Sequence, residues 1–159
     1  MSKNKSYSLF YKKILSRKSP YIIAEIGSNH NGEMRLAKKL ILLAKKNGAD
    51  CVKFQSWTHD TIFSDVKYNE NYFLNDDYRN RKDFNPKDIV KKFEISQSKL
   101  FQMKNFCKLN KIDFASTPFS KQEVNYLVSD LKPKFIKIAS MDLNNYPFIE
   151  YISKKKLPI

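Results

Sequence analysis

The chain has 159 residues, of which 42% are hydrophobic and 14% aromatic, a composition that excludes a disordered polypeptide and suffices for one domain with a real core. Its 30 Lys and Arg against 16 Asp and Glu give a formal charge of +14, which would raise nucleic acid as a partner. Most of that charge is spread along polar helix faces, at Lys38, Lys39, Lys45 and Lys46 for instance, so solvated faces are the favoured reading. No run approaches the roughly 18 apolar residues of a membrane span. The basic N-terminus has only Leu9, Phe10 and Tyr11 before Lys12 and Lys13 interrupt it, too short for a signal-peptide core; a cytoplasmic chain with no membrane partner is expected. Cys51 and Cys107 have neither disulfide nor zinc-knuckle spacing and are read as buried free thiols.

Residues 1–20 form a basic leader, expected as a short hairpin closing the floor of the domain. Strand 1 runs from Tyr21 to Ile26, and Gly27, Asn29, Asn31 and Gly32 punctuate the turn after it, because Gly and Asn tolerate the positive φ of a tight loop. Helix 1 spans about Met34 to Asn47, with Leu36, Leu40 and Leu43 as its apolar face and Gly48 as its stop. Strand 2 is Asp50 to Gln55. A long polar and aromatic stretch continues to about Pro86, with Trp57, Tyr68, Tyr72, Phe73 and Tyr78; loops of this length are usually functional, and this one reads as a lid or as self-packing. Residues 87–95 add a helical turn. Helix 2 starts with Ser96 as N-cap and runs to Leu109 through Leu100, Met103, Phe106 and Cys107. Strand 3 is Ile112 to Ser116, and Ser120 with Glu123 has capping-box spacing for a helix to about Leu127. Phe135 to Ala139 is strand 4, Pro147 to Lys154 helix 4, and Leu157 to Ile159 opens strand 5. Strand and helix alternate throughout, which implies α/β with a parallel sheet.

The strand ends carry the chemistry. Strand 1 ends with Glu25, strand 2 with Lys53 and Gln55, strand 3 with Ser116 and Thr117, and strand 4 with Lys137 and Ser140, then Asp142. Polar residues at the C-terminal ends of successive apolar strands are how a parallel barrel presents an active site. A complete (β/α)8 barrel takes about 250 residues, so residues 21–159 are read as its N-terminal half, about four βα units. A Lys inside an apolar strand is costly unless its ammonium meets an anion. Two such lysines, Lys53 and Lys137, suggest a substrate with two or three negative charges. The bland readings are a structural ion pair of Glu25 with Lys53 or Lys137, a Lys137 head that reaches solvent, and a Ser116 that only satisfies its strand end.

The run from Tyr21 to Gly32 (YIIAEIGSNHNG), the run from Gly48 to Gln55 (GADCVKFQ), and the STPF of Ser116 to Phe119 resemble the sialic acid synthase family. Its enzymes condense phosphoenolpyruvate with an N-acylated amino sugar to make nonulosonic acids. The resemblance implies that Lys53, Lys137 and Ser140 bind phosphoenolpyruvate, that Glu25 is the catalytic acid or base, and that Gln55, Thr117 and Asp142 contact the sugar. It also implies a divalent metal, manganese or magnesium, held by two histidines of later strands outside this chain; His30 is read as a loop hydrogen-bonder and His59 as an ordinary exposed loop residue. Where many members carry Ser-Gly-Glu this chain has Ser140, Met141 and Asp142, which leaves the sugar open, legionaminic and pseudaminic types included.

Four βα units expose sheet edges and an inner face, so self-association or a complementing half is expected, with no synthase activity from the half-barrel alone. The alternatives are a related ketodeoxy sugar acid synthase, against which the NHNG of Asn29 to Gly32 and the STPF run speak, and a noncatalytic remnant or module that binds anions or nucleic acid.

Overall fold

In the computed structural model, which describes residues 4–69 and 86–159, the alternation of apolar runs produces a three-stranded parallel sheet, β1 (Ile23–Gly27), β2 (Cys51–Gln55) and β3 (Asp113–Thr117), in that spatial order. Seven α-helices are described: α1 (Asn4–Leu15), α2 (Met34–Lys46), α3 (Asp65–Asn69), α4 (Pro86–Phe93), α5 (Gln97–Leu109), α6 (Lys121–Tyr126) and α7 (Tyr146–Ser153). This is the α/β half-barrel the sequence implies. Tyr72, Phe73 and Tyr78 of the long stretch lie outside the described residues.

The register aligns Glu25 with Lys53 and Lys53 with Ala115, while Gln55 aligns with Thr117. Since side chains alternate along a strand, Glu25, Lys53, Gln55 and Thr117 share the inner face, and Ile26, Val52, Phe54 and Phe114 turn outward. The outward set is buried against Ala37 and Ile41 of α2 and against Leu100, Met103 and Cys107 of α5. Phe54 stacks on Phe114 with ring centroids 5.7 Å apart. The apolar face of α2 centres on Ala37 and Ile41, with the expected Leu40 packed beside them, whereas the expected Leu43 is exposed. Small Ala side chains let the helix sit close to the sheet, a preference that a count of leucines does not reveal.

The caps follow local chemistry. The Ser96 hydroxyl accepts from the Lys99 N–H at 3.3 Å, and the Ser120 hydroxyl accepts from the Glu123 N–H at 3.2 Å. A π-helical turn, Leu127–Leu131, carries α6 onward and ends where Lys132 takes φ 50°. The leader is a helix, α1, not a hairpin. Phe10 on α1 stacks on Phe135 at 5.9 Å and meets the Tyr21 ring edge-on at 5.8 Å, closing the floor beneath the strands' N-terminal ends. There Arg17 pairs with Asp50 at 2.9 Å, and Asp113 accepts from both the Tyr21 hydroxyl and Lys134 at 2.6 Å. Both cysteines are fully buried, and burial pushes each thiol up to about 12.

The expected fourth strand forms no ladder with β3. Its Ile136 N–H instead donates to the Pro158 carbonyl at 2.8 Å, and Ile136 and Ile138 pack with Val124, Phe148 and Ile152. Side-chain burial against α6 and α7 satisfies the period-two pattern of this segment without sheet pairing, and Lys137 between the two isoleucines is exposed.

Two glycines separate conformation from space. Gly48 has φ 84° and open surroundings, whereas Gly32 has φ 74° and a Cβ there would lie 2.2 Å from the Lys92 carbonyl oxygen of α4. Gly48→Ala should cost roughly 1–2 kcal/mol from the left-handed backbone alone. Gly32→Ala should cost at least about 1 kcal/mol more, because a backbone carbonyl has to move. Urea unfolding of the two variants side by side checks this; equal losses would mean that the β1 loop and α4 are not in contact.

Candidate active site

The site is organised by a lysine that cannot be left alone. Lys53 occupies the middle strand with a full ladder on either side, and is only 8% exposed. An unpaired ammonium at that depth would cost several kcal/mol. It forms an ion pair with the Glu25 carboxylate from β1 and donates to the Thr117 hydroxyl of β3 at 3.2 Å. Three strand ends thus meet at one nitrogen. Lys53 lies inside, while the Glu25 side chain is 49% exposed, so the acid faces the open mouth of the sheet. A break in register between Glu25 and Gly27, with Gly27 at φ 51°, turns the chain away directly after Glu25.

Gln55 extends the same face by one strand step. Its carbonyl oxygen accepts from the Trp57 indole N–H at 2.8 Å and from the Ser28 hydroxyl at 3.4 Å. Of the residues read as site candidates, Glu25, Lys53, Gln55 and Thr117 come together here. Lys137, Ser140 and Asp142 do not: no hydrogen bond or ion pair joins them to this cluster among the described residues. The expectation of a second strand-buried lysine is corrected accordingly, since Lys137 sits on an unladdered segment with its head in solvent. Ser140 opens a 3₁₀ turn, Ser140–Asp142, and the Asp142 carboxylate accepts from the Asn145 amide at 3.1 Å.

Ser116 points to the outer face, where it is fully buried and shares a short hydrogen bond with Ser56; it completes its strand end and does not enter the site. His30 is a loop hydrogen-bonder as expected. Its ring is 1% exposed, lies 6.0 Å from the Phe54 ring, and accepts the Gly32 N–H at Nδ1. Burial, helped by the Lys99 ammonium, lowers the imidazole below its ordinary value despite an opposing hydrogen bond at Gly27.

Two acids hold the stretch after β2, and the sequence gives little sign of either. Glu94 accepts both the backbone N–H and the Nδ1 of His59, each at 2.8 Å, so His59 is a clamped anchor rather than an ordinary exposed loop residue. Burial pushes the Glu94 carboxyl up, but the His59 hydrogen bonds outweigh it and hold it below the usual range. Glu123, read from its spacing as half of a capping box, accepts from the Thr61 hydroxyl at 2.6 Å and from the Phe119 N–H at 2.7 Å. Its burial raises the carboxyl against those bonds. Trp57 and Val90 bury each other with Ile62, Phe63, Phe93 and Phe119 around them, so the described part of the stretch packs on itself. The capping-box spacing of Glu123 is the one sequence signal for these clamps.

Among the described residues no three of His, Cys, Asp and Glu gather as a metal site. No helix among them is long and apolar enough to cross a membrane.

A parallel half-barrel with a buried strand-end lysine, a facing glutamate and an oriented glutamine belongs to a definable class. A profile of the NeuB family matches residues 40–159, and the chain belongs to that family. It is 34% identical to the N,N'-diacetyllegionaminic acid synthase of Legionella pneumophila over 87% of this chain and 38% of that protein. It is also 34% identical to the N-acetylneuraminate-9-phosphate synthase of Drosophila melanogaster, over 89% and 37%. The crystal structure of an N-acetylneuraminic acid synthetase from Leptospira borgpetersenii, in complex with citrate, superposes with a TM-score of 0.69 at 27% identity, covering 86% of this chain and 42% of that one. The chain therefore spans less than half the length of these relatives.

Because the folded His30 titrates below its ordinary value of 6.5, the unfolded chain takes up the proton first as pH falls. The stability His30 adds is complete above about pH 6.5 and is lost on acidification below it. Melting curves from about pH 7.5 to about pH 5.5 should show Tm falling in the parent chain and falling less in His30→Gln. An identical slope in the two proteins would place the acid sensitivity elsewhere.

Proposed function

We propose that this chain is the phosphoenolpyruvate-binding part of a synthase that condenses phosphoenolpyruvate with an N-acylated amino sugar to form a sialic-acid-type nonulosonic acid. The observation that carries this reading is the buried Lys53 ammonium at a strand C-terminus, faced by a half-exposed Glu25. Family membership and the synthase names of its relatives support it.

In this reaction C3 of phosphoenolpyruvate attacks the aldehyde carbon of the open-chain sugar, water adds at C2, and inorganic phosphate leaves by C–O cleavage. Charge develops on the phosphate, the carboxylate and C2. A cation already fixed in a poorly hydrated site stabilises that charge without reorganising, and Lys53 is such a cation. Lys137 and Ser140 are proposed as further phosphoenolpyruvate contacts, and Gln55, Thr117 and Asp142 as sugar contacts. Thr117 has a second task here, since its hydroxyl helps fix the Lys53 head. Glu25 is proposed to move the proton of the addition step, within reach of the carbons that react. A divalent metal would draw its ligands from outside the described residues.

Glu25 occupies the Lys53 ammonium. An incoming phosphate or carboxylate must take its place, which makes Glu25 a competitor for the anion as well as a catalytic group. Calorimetric titration with phosphoenolpyruvate, on chains shown to be folded by circular dichroism, reads this out. Lys53→Ala should weaken binding at least tenfold, the loss expected for a charge-assisted contact. Glu25→Gln should strengthen it several-fold, because a neutral amide no longer holds the ammonium. Undiminished binding in Lys53→Ala would overturn the assignment.

A further inference from the structure

We propose that Trp57 is a positioning residue that locks the Gln55 carboxamide so that it shows only N–H donors to the ligand, and that the sugar atom meeting Gln55 is therefore an acceptor oxygen. The inference rests on the reading of Gln55 as a sugar contact and adds the orientation and its cause. An indole N–H can donate and cannot accept. The Trp57 Nε1 lies 2.8 Å from the end of the Gln55 side chain, so the atom facing it must be the carbonyl oxygen. A flipped amide would set two donors against each other. The Ser28 hydroxyl, 3.4 Å from the same oxygen, adds a second donor and uses its remaining acceptor capacity.

The amide nitrogen is thereby turned the other way. A Cβ placed on Gly27 would lie 3.8 Å from Gln55 Nε2 and 3.4 Å from Glu25 Oε1, so the amide nitrogen and the Glu25 carboxylate border the same small space above β1. Among the described residues no acceptor takes the Gln55 N–H groups. Trp57 is itself fixed, being 7% exposed and enclosed with Val90 by Ile62, Phe63, Phe93 and Phe119. The carboxamide cannot rotate to suit a ligand unless this cluster moves. A site with prealigned donors accepts a hydroxyl, aldehyde or acyl oxygen and disfavours a group that can only donate, because that leaves the half-buried Gln55 donors unpaired.

Trp57 is the sole tryptophan, so the protein has one indole N–H resonance to follow. Gln55→Met, which keeps length and removes the amide, should move that resonance upfield and speed its hydrogen exchange. Calorimetry with N-acetylmannosamine in the presence of phosphoenolpyruvate supplies the second readout. Trp57→Phe and Gln55→Met should each weaken sugar binding about tenfold, and the double variant should be no worse than either, since both act through one contact. Trp57→Phe should leave phosphoenolpyruvate affinity unchanged. An indole resonance indifferent to Gln55→Met, or losses that multiply in the double variant, would overturn the proposal. Phosphoenolpyruvate binding without sugar binding would overturn the recognition half alone, and failure of both ligands would sink the synthase reading while the indole resonance still decided the positioning.

Discussion

A cation in the interior needs a counter-charge, and the mouth of this sheet is arranged around meeting that demand at Lys53. The lysine sits on the one described strand with neighbours on both sides, where the ladder fixes its height against Glu25 and Thr117. That height determines which groups reach its nitrogen. Because side chains alternate, the same register sends Phe54 and Val52 outward into the helices, so the hydrophobic core and the charged cluster are two faces of one hydrogen-bonding pattern. A one-residue slip would bury the ammonium among Ile41 and Met103 and expel Phe54 to the mouth. Selection for the core therefore also protects the site.

The stretch after β2 is tied down by carboxylates rather than by ladder bonds. Glu94, directly after α4, holds His59, Glu123 holds Thr61 from α6, and Trp57, just before both anchors, packs on Val90 of α4. Each anchor comes from a different helix, so the stretch is referenced to the scaffold at several points, and Gln55 inherits that rigidity through its bond to the indole.

Much of this is legible in the sequence where the signal is local. Strands appear as short apolar runs, Ser96 and Ser120 as caps, and Glu25, Lys53 and Gln55 as polar residues closing such runs. What stays hidden depends on distance along the chain. The His59 clamp needs Glu94, 35 residues away, and no spacing rule connects them. Leucines outrank alanines in hydrophobicity, so the pattern finds Leu40 but also takes in the exposed Leu43 and passes over Ala37, whereas close helix–sheet contact rewards small side chains. Phe135 to Ala139 has a strand's alternation, but alternation reports which side chains are buried and not which backbone pairs with which. For that reason the pattern points Lys137 inward, although it lies in solvent. The leader's basic residues give no hint of a helix whose Phe10 fits between Tyr21 and Phe135.

The two cysteines bear on how such a molecule comes apart. Cys51 lies on the inner face of β2 in contact with Tyr21, and Cys107 lies on α5 against the outer face. Neither is exposed, and a thiol with its pKa near 12 is a poor nucleophile at neutral pH, so a modifying reagent reaches each only when its own surroundings open. The chain thus carries two internal clocks, one just above the floor and one between helix and sheet, whose labelling rates tell whether the two layers separate together or in sequence.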